Sequence, residues 1–179
     1  MTRPVAYIAA PLGEWVRASI VAAHAASAGY DVASRWHDDA AVRAGAADPL
    51  DDATRARIAA ANDADLARAH IVIVLTAWGS PRSTYVEAGI ALALGRPVLW
   101  VIGPGGEGRC SHDVVPPNRP DHPPHDAHPL VRRVVGSVRW DDVVRGELEA
   151  FAATWHASGG TLDGSPWLDG ALSLEEART

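Results

Sequence analysis

His70-Ile-Val-Ile-Val-Leu-Thr76 is an unbroken apolar run, mostly β-branched and too short for an ordinary helix. A strand that is apolar on both sides of its pleat belongs in a sheet covered on both faces. Its flanks decide which kind of sheet. Before it, Asp51 or Asp52 can cap a helix running to about Ala69, with Ile58, Asn62, Leu66 and Ala69 on one face. After it, Gly79–Val98 reads GSPRSTYVEAGIALALGRPV. That is a helix ended by Gly95, as a C-cap glycine would end it, followed by the strand pattern Pro97-Val-Leu-Trp-Val-Ile102.

The rest of the chain repeats this alternation. Pro4-Val-Ala-Tyr-Ile-Ala-Ala10, closed by Pro11, is a buried-strand signal, and Gly13 to Ser27 reads as a helix stopped at Gly29. Tyr30 to Ser34 alternates weakly as a second strand, and the small, polar residues Ala40 to Pro49 read as a loop. A last strand is expected at Ser137-Val-Arg-Trp140, then an amphipathic helix from Asp141 to about His156.

Strands alternating with helices imply crossover connections and a parallel sheet. The expected architecture is therefore α/β: a flavodoxin-like, doubly wound, five-stranded parallel sheet of order 2-1-3-4-5. The 179 residues fit one domain, with an irregular Pro- and His-rich loop at 103–129 and a tail at 159–179. Ligands of such sheets sit outside the carboxyl ends of the strands. Those ends place Ala10, Pro11, Trp36, Trp78 and Gly79 around the expected site. Tyr7 joins them, with Ser80, Arg82, Ser83 and Thr84 at the start of the helix that holds Glu87.

Composition narrows the partners. A net charge of −6 argues against nucleic acid, whose phosphates require a basic face. No run approaches the ~20 apolar residues of a membrane span, and Met1-Thr-Arg-Pro4 leads directly into strand pattern, so neither membrane nor export signal is expected. A single cysteine, Cys110, excludes an internal disulfide and fits a cytoplasmic location. A homo-oligomer, dimer or higher, is the expected assembly. His122, His125 and His128 recur at three-residue spacing, but Pro123, Pro124 and Pro129 prevent a helix from aligning the imidazoles, so no metal site is expected there. Trp36 and Trp78 can stack a base or pack in the core; Trp100 and Trp140 read as core or subunit contacts.

Glu87 is the acid that needs explaining, because it stands inside a helix of apolar and small residues. As a first-turn acid it would simply favour the helix dipole. As a functional group it would be a nucleophile or an acid–base carboxylate, the kind of group that glycosyl chemistry needs beside an anomeric carbon to stabilise an oxocarbenium-like transition state.

The segments AYIAAPL, AANDADLARAHIVIVLT and STYVEAGIALALGRPV, in this order over residues 4 to 103, resemble the nucleoside 2-deoxyribosyltransferase family and its nucleoside 5′-monophosphate N-glycosidase relatives. The resemblance implies that Glu87 is the nucleophile that attacks the sugar C1′ and carries a covalent glycosyl intermediate. It implies that Tyr7 orients Glu87, that the substrate is a nucleoside or nucleotide, and that no cofactor is needed. One position departs from the pattern. The acid that protonates the departing base normally lies eight residues before the residue opening the third strand, and counting back from His70 reaches Asn62. An amide cannot deliver that proton. Asp63 and Asp65 are neighbours; Asp65 shares the Asn62 face but lies further from the strand ends, and Asp63 points to the side. In the loop before Glu87, Arg82 with Ser80 and Ser83 would suit a phosphate, since arginine pairs bidentately with phosphate oxygens. Three functions follow: a deoxyribosyltransferase-like enzyme passing the sugar to another base or to water, a monophosphate N-glycosidase, and a catalytically impaired nucleotide-binding domain.

Overall fold

The computed structural model of the chain describes residues 2–44, 51–76, 82–102, 130–135 and 140–160. Five strands form one parallel sheet: β1 (Val5–Ala9), β2 (Asp31–Val32), β3 (Ile71–Thr76), β4 (Val98–Ile102) and β5 (Val131–Val135). Their spatial order is β2-β1-β3-β4-β5, the order expected above, and every neighbouring pair runs parallel. The long helices are α1 (Trp15–Ser27), α3 (Asp52–Arg68), α4 (Arg82–Ala93) and α5 (Trp140–Ala157).

The period of two along the strands divides the core into halves. Ala6 and Ile8 of β1, Ile71, Ile73 and Leu75 of β3, and Leu99 and Val101 of β4 face one side. There they meet Ala18, Val21 and Ala25 of α1 and Val144, Leu148 and Phe151 of α5. Tyr7, Ala9, Val72, Val74 and Val98 face the other side, against Leu66 of α3 and Ala88 and Ala91 of α4. All six residues of β3 are buried, as its continuous apolar run demands.

Helix ends follow their signals. Asp51 caps α3, its carboxylate accepting the Thr54 N–H at 2.8 Å. Beyond α4, Gly95 takes φ +68°, and the N–H groups of Gly95 and Arg96 bond back to the carbonyls of Leu92 and Ala91. That is a Schellman closure, for which a left-handed glycine is the usual residue.

Three expectations need correction. Residues 40–44 are not loop but a short helix, α2 (Ala40–Ala44), because Asp39 accepts the Ala41 N–H at 2.9 Å and Val42 finds a buried place. The fifth strand is Val131–Val135 rather than Ser137–Trp140, and Trp140 instead opens α5. The two arginines in Val-Arg-Arg-Val-Val obscured the strand, but it lies at the sheet edge, and Arg132 pairs with Glu147 of α5 at 2.6 Å. Finally, β2 has two residues rather than the five of Tyr30 to Ser34. Side chains replace the missing ladder: Ser34 Oγ accepts the Ile8 N–H at 3.1 Å, and the Trp36 indole N–H donates to the Ile8 carbonyl at 2.9 Å. Residues 103–129, expected as a loop and containing Cys110, His122, His125 and His128, lie outside the described residues, as do residues 136–139 and 161–179. Among the described residues no helix is long and apolar enough to cross a membrane.

Candidate active site

The chain reverses its winding between β1 and β3, and sheets of this kind bind ligands outside the carboxyl ends of the strands at such a switch. Tyr7 sits on β1, fully buried, on the face covered by α3 and α4. Glu87 comes from the second turn of α4 and is half-buried. Eighty residues apart in sequence, they meet: the Tyr7 hydroxyl donates to Glu87 Oε1 at 2.5 Å. Asn62 of α3 approaches from a third element, its side-chain N–H directed at the same oxygen across 3.5 Å.

Burial pushes the Glu87 carboxyl above the usual glutamate range; the Tyr7 hydrogen bond opposes that rise and the negative charge of Asp63 adds to it. Tyr7 is shifted strongly upward as well, first by burial and then by the adjacent Glu87 charge. The phenol therefore stays protonated and acts as a donor. Together these groups make a carboxylate held in one orientation, poorly hydrated, and still partly exposed. Such a carboxylate can act as a nucleophile or as an acid–base group.

The other expected residues divide by position. Ala10 is buried and Pro11 half-buried at the end of β1, where the Pro11 carbonyl accepts the Glu14 N–H and turns the chain into α1. Trp36 is buried, its N–H committed to Ile8, and it forms the inner wall of a cleft rather than a free stacking platform. Asp63 is exposed, close enough for its charge to be felt at Tyr7 and Glu87. Ser83 is exposed in the first turn of α4, while Thr84 is fully buried and its hydroxyl has no partner among the described residues. Arg82 opens the helix; its side chain, and Trp78, Gly79 and Ser80, lie outside the described residues.

Beside Asn62 lies a cleft of about 160 Å³ between α3 and residues 36–39, floored by Trp36, Ile58 and Ala61. Ion pairs clip it at both ends. Arg57 of α3 reaches Asp39 at 2.8 Å, and Arg35 grips Asp65 of α3 through two hydrogen bonds of 3.2 and 3.1 Å. Asp65 is almost wholly buried and also accepts from Arg68 at 2.8 Å, so its charge is neutralised. Sequence reasoning placed Asp65 on the correct face but missed Arg35, Arg57 and Asp39. Nothing local marks them, because their partners are distant in sequence.

Among the described residues no group of three or more His, Cys, Asp or Glu is placed to hold a metal ion. No protein-family model matches the sequence, and no characterised protein matches it either. The site must be read from its own geometry.

Proposed function

We propose that the protein cleaves the N-glycosidic bond of a nucleoside or nucleotide by double displacement, with Glu87 as nucleophile. The carrying observation is the 2.5 Å bond from a buried, protonated tyrosine to a half-buried carboxylate at the switch point of the sheet. In the first step a Glu87 oxygen forms a bond to C1′ while the C1′–N bond breaks, its electron pair leaving with the base. In the second step another base or water attacks C1′ from the opposite side, the C1′–O bond to Glu87 breaks and restores its carboxylate, and the acceptor's proton passes to the Asp63 carboxylate left by the first step. Tyr7 holds the carboxylate throughout. The aglycone fits the cleft beside Asn62, whose apolar floor suits a ring face and whose rim of guanidinium and carboxylate groups suits its polar edges. Asp63, the exposed acid nearest Asn62 in sequence, protonates the departing base in this reading.

One observation favours the monophosphate form of the reaction. Among the described residues the fully buried Thr84 hydroxyl has no partner, and it stands in the first turn of α4, where a helix start also favours an anion. A 5′-phosphate would supply the missing acceptor.

The test is product analysis with 2′-deoxynucleosides and their 5′-monophosphates, with and without an acceptor base. Free base and sugar, or an exchanged nucleoside, is the expected outcome; a slow 2-fluoro substrate should leave its sugar on the peptide containing Glu87. In the same assay Asp63→Asn should slow natural bases more than activated leaving groups, by up to about 10²-fold. No turnover of any substrate, or an adduct on another residue, removes the reading.

A further inference from the structure

Asn62 joins Glu87 to the α3 cleft: it lines the cleft and faces the carboxylate. Its amide nitrogen must be the atom turned to Glu87, because the carbonyl oxygen there would set two acceptors against each other. Among the described residues, the two donors that reach Glu87 fall on a single atom. The Tyr7 hydroxyl and the Asn62 amide both point to Oε1, from a strand and a helix that are packed independently.

We propose that Asn62 is a positioning residue for Glu87: with Tyr7 it fixes Oε1, so that Oε2 is the oxygen presented to the substrate. This rests on Glu87 being the reacting carboxylate. Two donors on one oxygen draw negative charge toward it and set the plane of the carboxylate, leaving the second oxygen with its lone pairs uncommitted among the described residues. At 3.5 Å the Asn62 contact is long, and contacts of this kind tighten when substrate fills the site. The amide suits this role better than a carboxyl group would. An ionised aspartate at 62 would bring a second negative charge to Oε1, where Asp63 already contributes one from a distance. Asn62 therefore acts on the nucleophile, and its work is separate from protonation of the base.

Asn62→Asp separates the two roles by sign. If residue 62 served the leaving group, restoring an acid would raise turnover. As a positioning residue, Asn62→Asp should lower kcat/KM at pH 7 by about 10-fold or more and move the acidic limb of the pH profile upward. Asn62→Leu should move the limb in the same direction by less, and Asn62→Ser, which keeps a donor, should recover part of the loss.

Titration of 13C-labelled glutamate side chains by NMR, with Glu87 assigned through Glu87→Gln, reads the interaction without any turnover. The Glu87 midpoint should rise in Asn62→Leu and rise further in Asn62→Asp. An unmoved midpoint in both variants, or a gain of activity in Asn62→Asp, overturns the proposal. Midpoints that move in a protein that turns over no glycoside would sink the glycosidase reading and leave the Asn62–Glu87 contact standing.

Discussion

The two faces of the sheet are cut from the same strands and do different work. On β1, Ala6 and Ile8 point toward α1 and α5, whereas Tyr7 between them points toward α3 and α4. The first face is closed by large apolar side chains such as Leu148 and Phe151. Its buried phenol, Tyr30, spends its hydroxyl on the Leu148 carbonyl at 2.8 Å and its ring on Phe151. That hydrogen bond is a neutral, structural one. On the second face Tyr7 spends the same hydroxyl on a carboxylate that burial has made reluctant to ionise. One tyrosine closes a core; the other holds a charge that the core would otherwise reject. The pleat of a single strand thus separates a phenol bonded to a backbone carbonyl from one bonded to a carboxylate.

Paired truncations test this separation most severely. Glu87→Ala should lower glycosidic turnover by at least about 10³-fold while circular dichroism and the unfolding transition show an intact fold. Leu148→Ala should do the reverse, costing about 2–5 kcal/mol of stability in denaturant titrations and leaving kcat of the folded protein within a few-fold. A Glu87→Ala protein that fails to fold would end the distinction between the faces. So would a Leu148→Ala protein that is stable but inactive.

A smaller effect should separate the two tyrosines. Tyr7→Phe removes a hydrogen bond to a charged group, worth about 1.5–3 kcal/mol, so kcat/KM should fall roughly 10- to 100-fold. The Tyr7 bond holds the Glu87 pKa down, so without it the acidic limb of the pH–rate profile should move to higher pH. Tyr30→Phe should leave that limb where it is and appear only as lost stability, about 1 kcal/mol in urea titration. If both variants shift the profile equally, Tyr7 has no special relation to the carboxylate.

Much of this face was legible before the structure, for reasons particular residues make plain. The short, β-branched apolar runs of β3 and β1 mark strands buried on both faces, and Gly29 and Gly95 mark helix ends through their left-handed backbones. The order of elements then brings Tyr7 and Glu87 to one end of the sheet. The fifth strand escaped because its arginines look solvated until α5 supplies Glu147. The cleft escaped for a similar reason: Arg35 and Arg57 reach carboxylates at 65 and 39, a pairing set by how α3 lies against residues 35–39. The second donor on Glu87 was equally hidden. From the sequence Asn62 looked like a lost acid, and only its distance to Oε1 gives it another role.

The smallest expected effect concerns what the reactive face costs. The Glu87 carboxyl binds its proton more readily in the folded protein than at its ordinary value of 4.5, since burial disfavours the charge. A group whose folded pKa is raised contributes stability that is whole below the unfolded pKa and is lost as pH rises through the folded value. Glu87→Gln keeps an oxygen for the Tyr7 hydroxyl and does not titrate. Its unfolding free energy relative to wild type should therefore be constant below about pH 4, grow in its favour above 4.5, and level off once Glu87 is ionised. The height of the plateau reports how far burial has raised the Glu87 pKa, and it should favour the glutamine variant. Urea denaturation of both proteins from pH 4 to pH 8 measures it directly. A variant of equal stability at every pH would mean that Glu87 ionises without cost. The contrast between a face that only stabilises and a face that carries strained charge would then be lost.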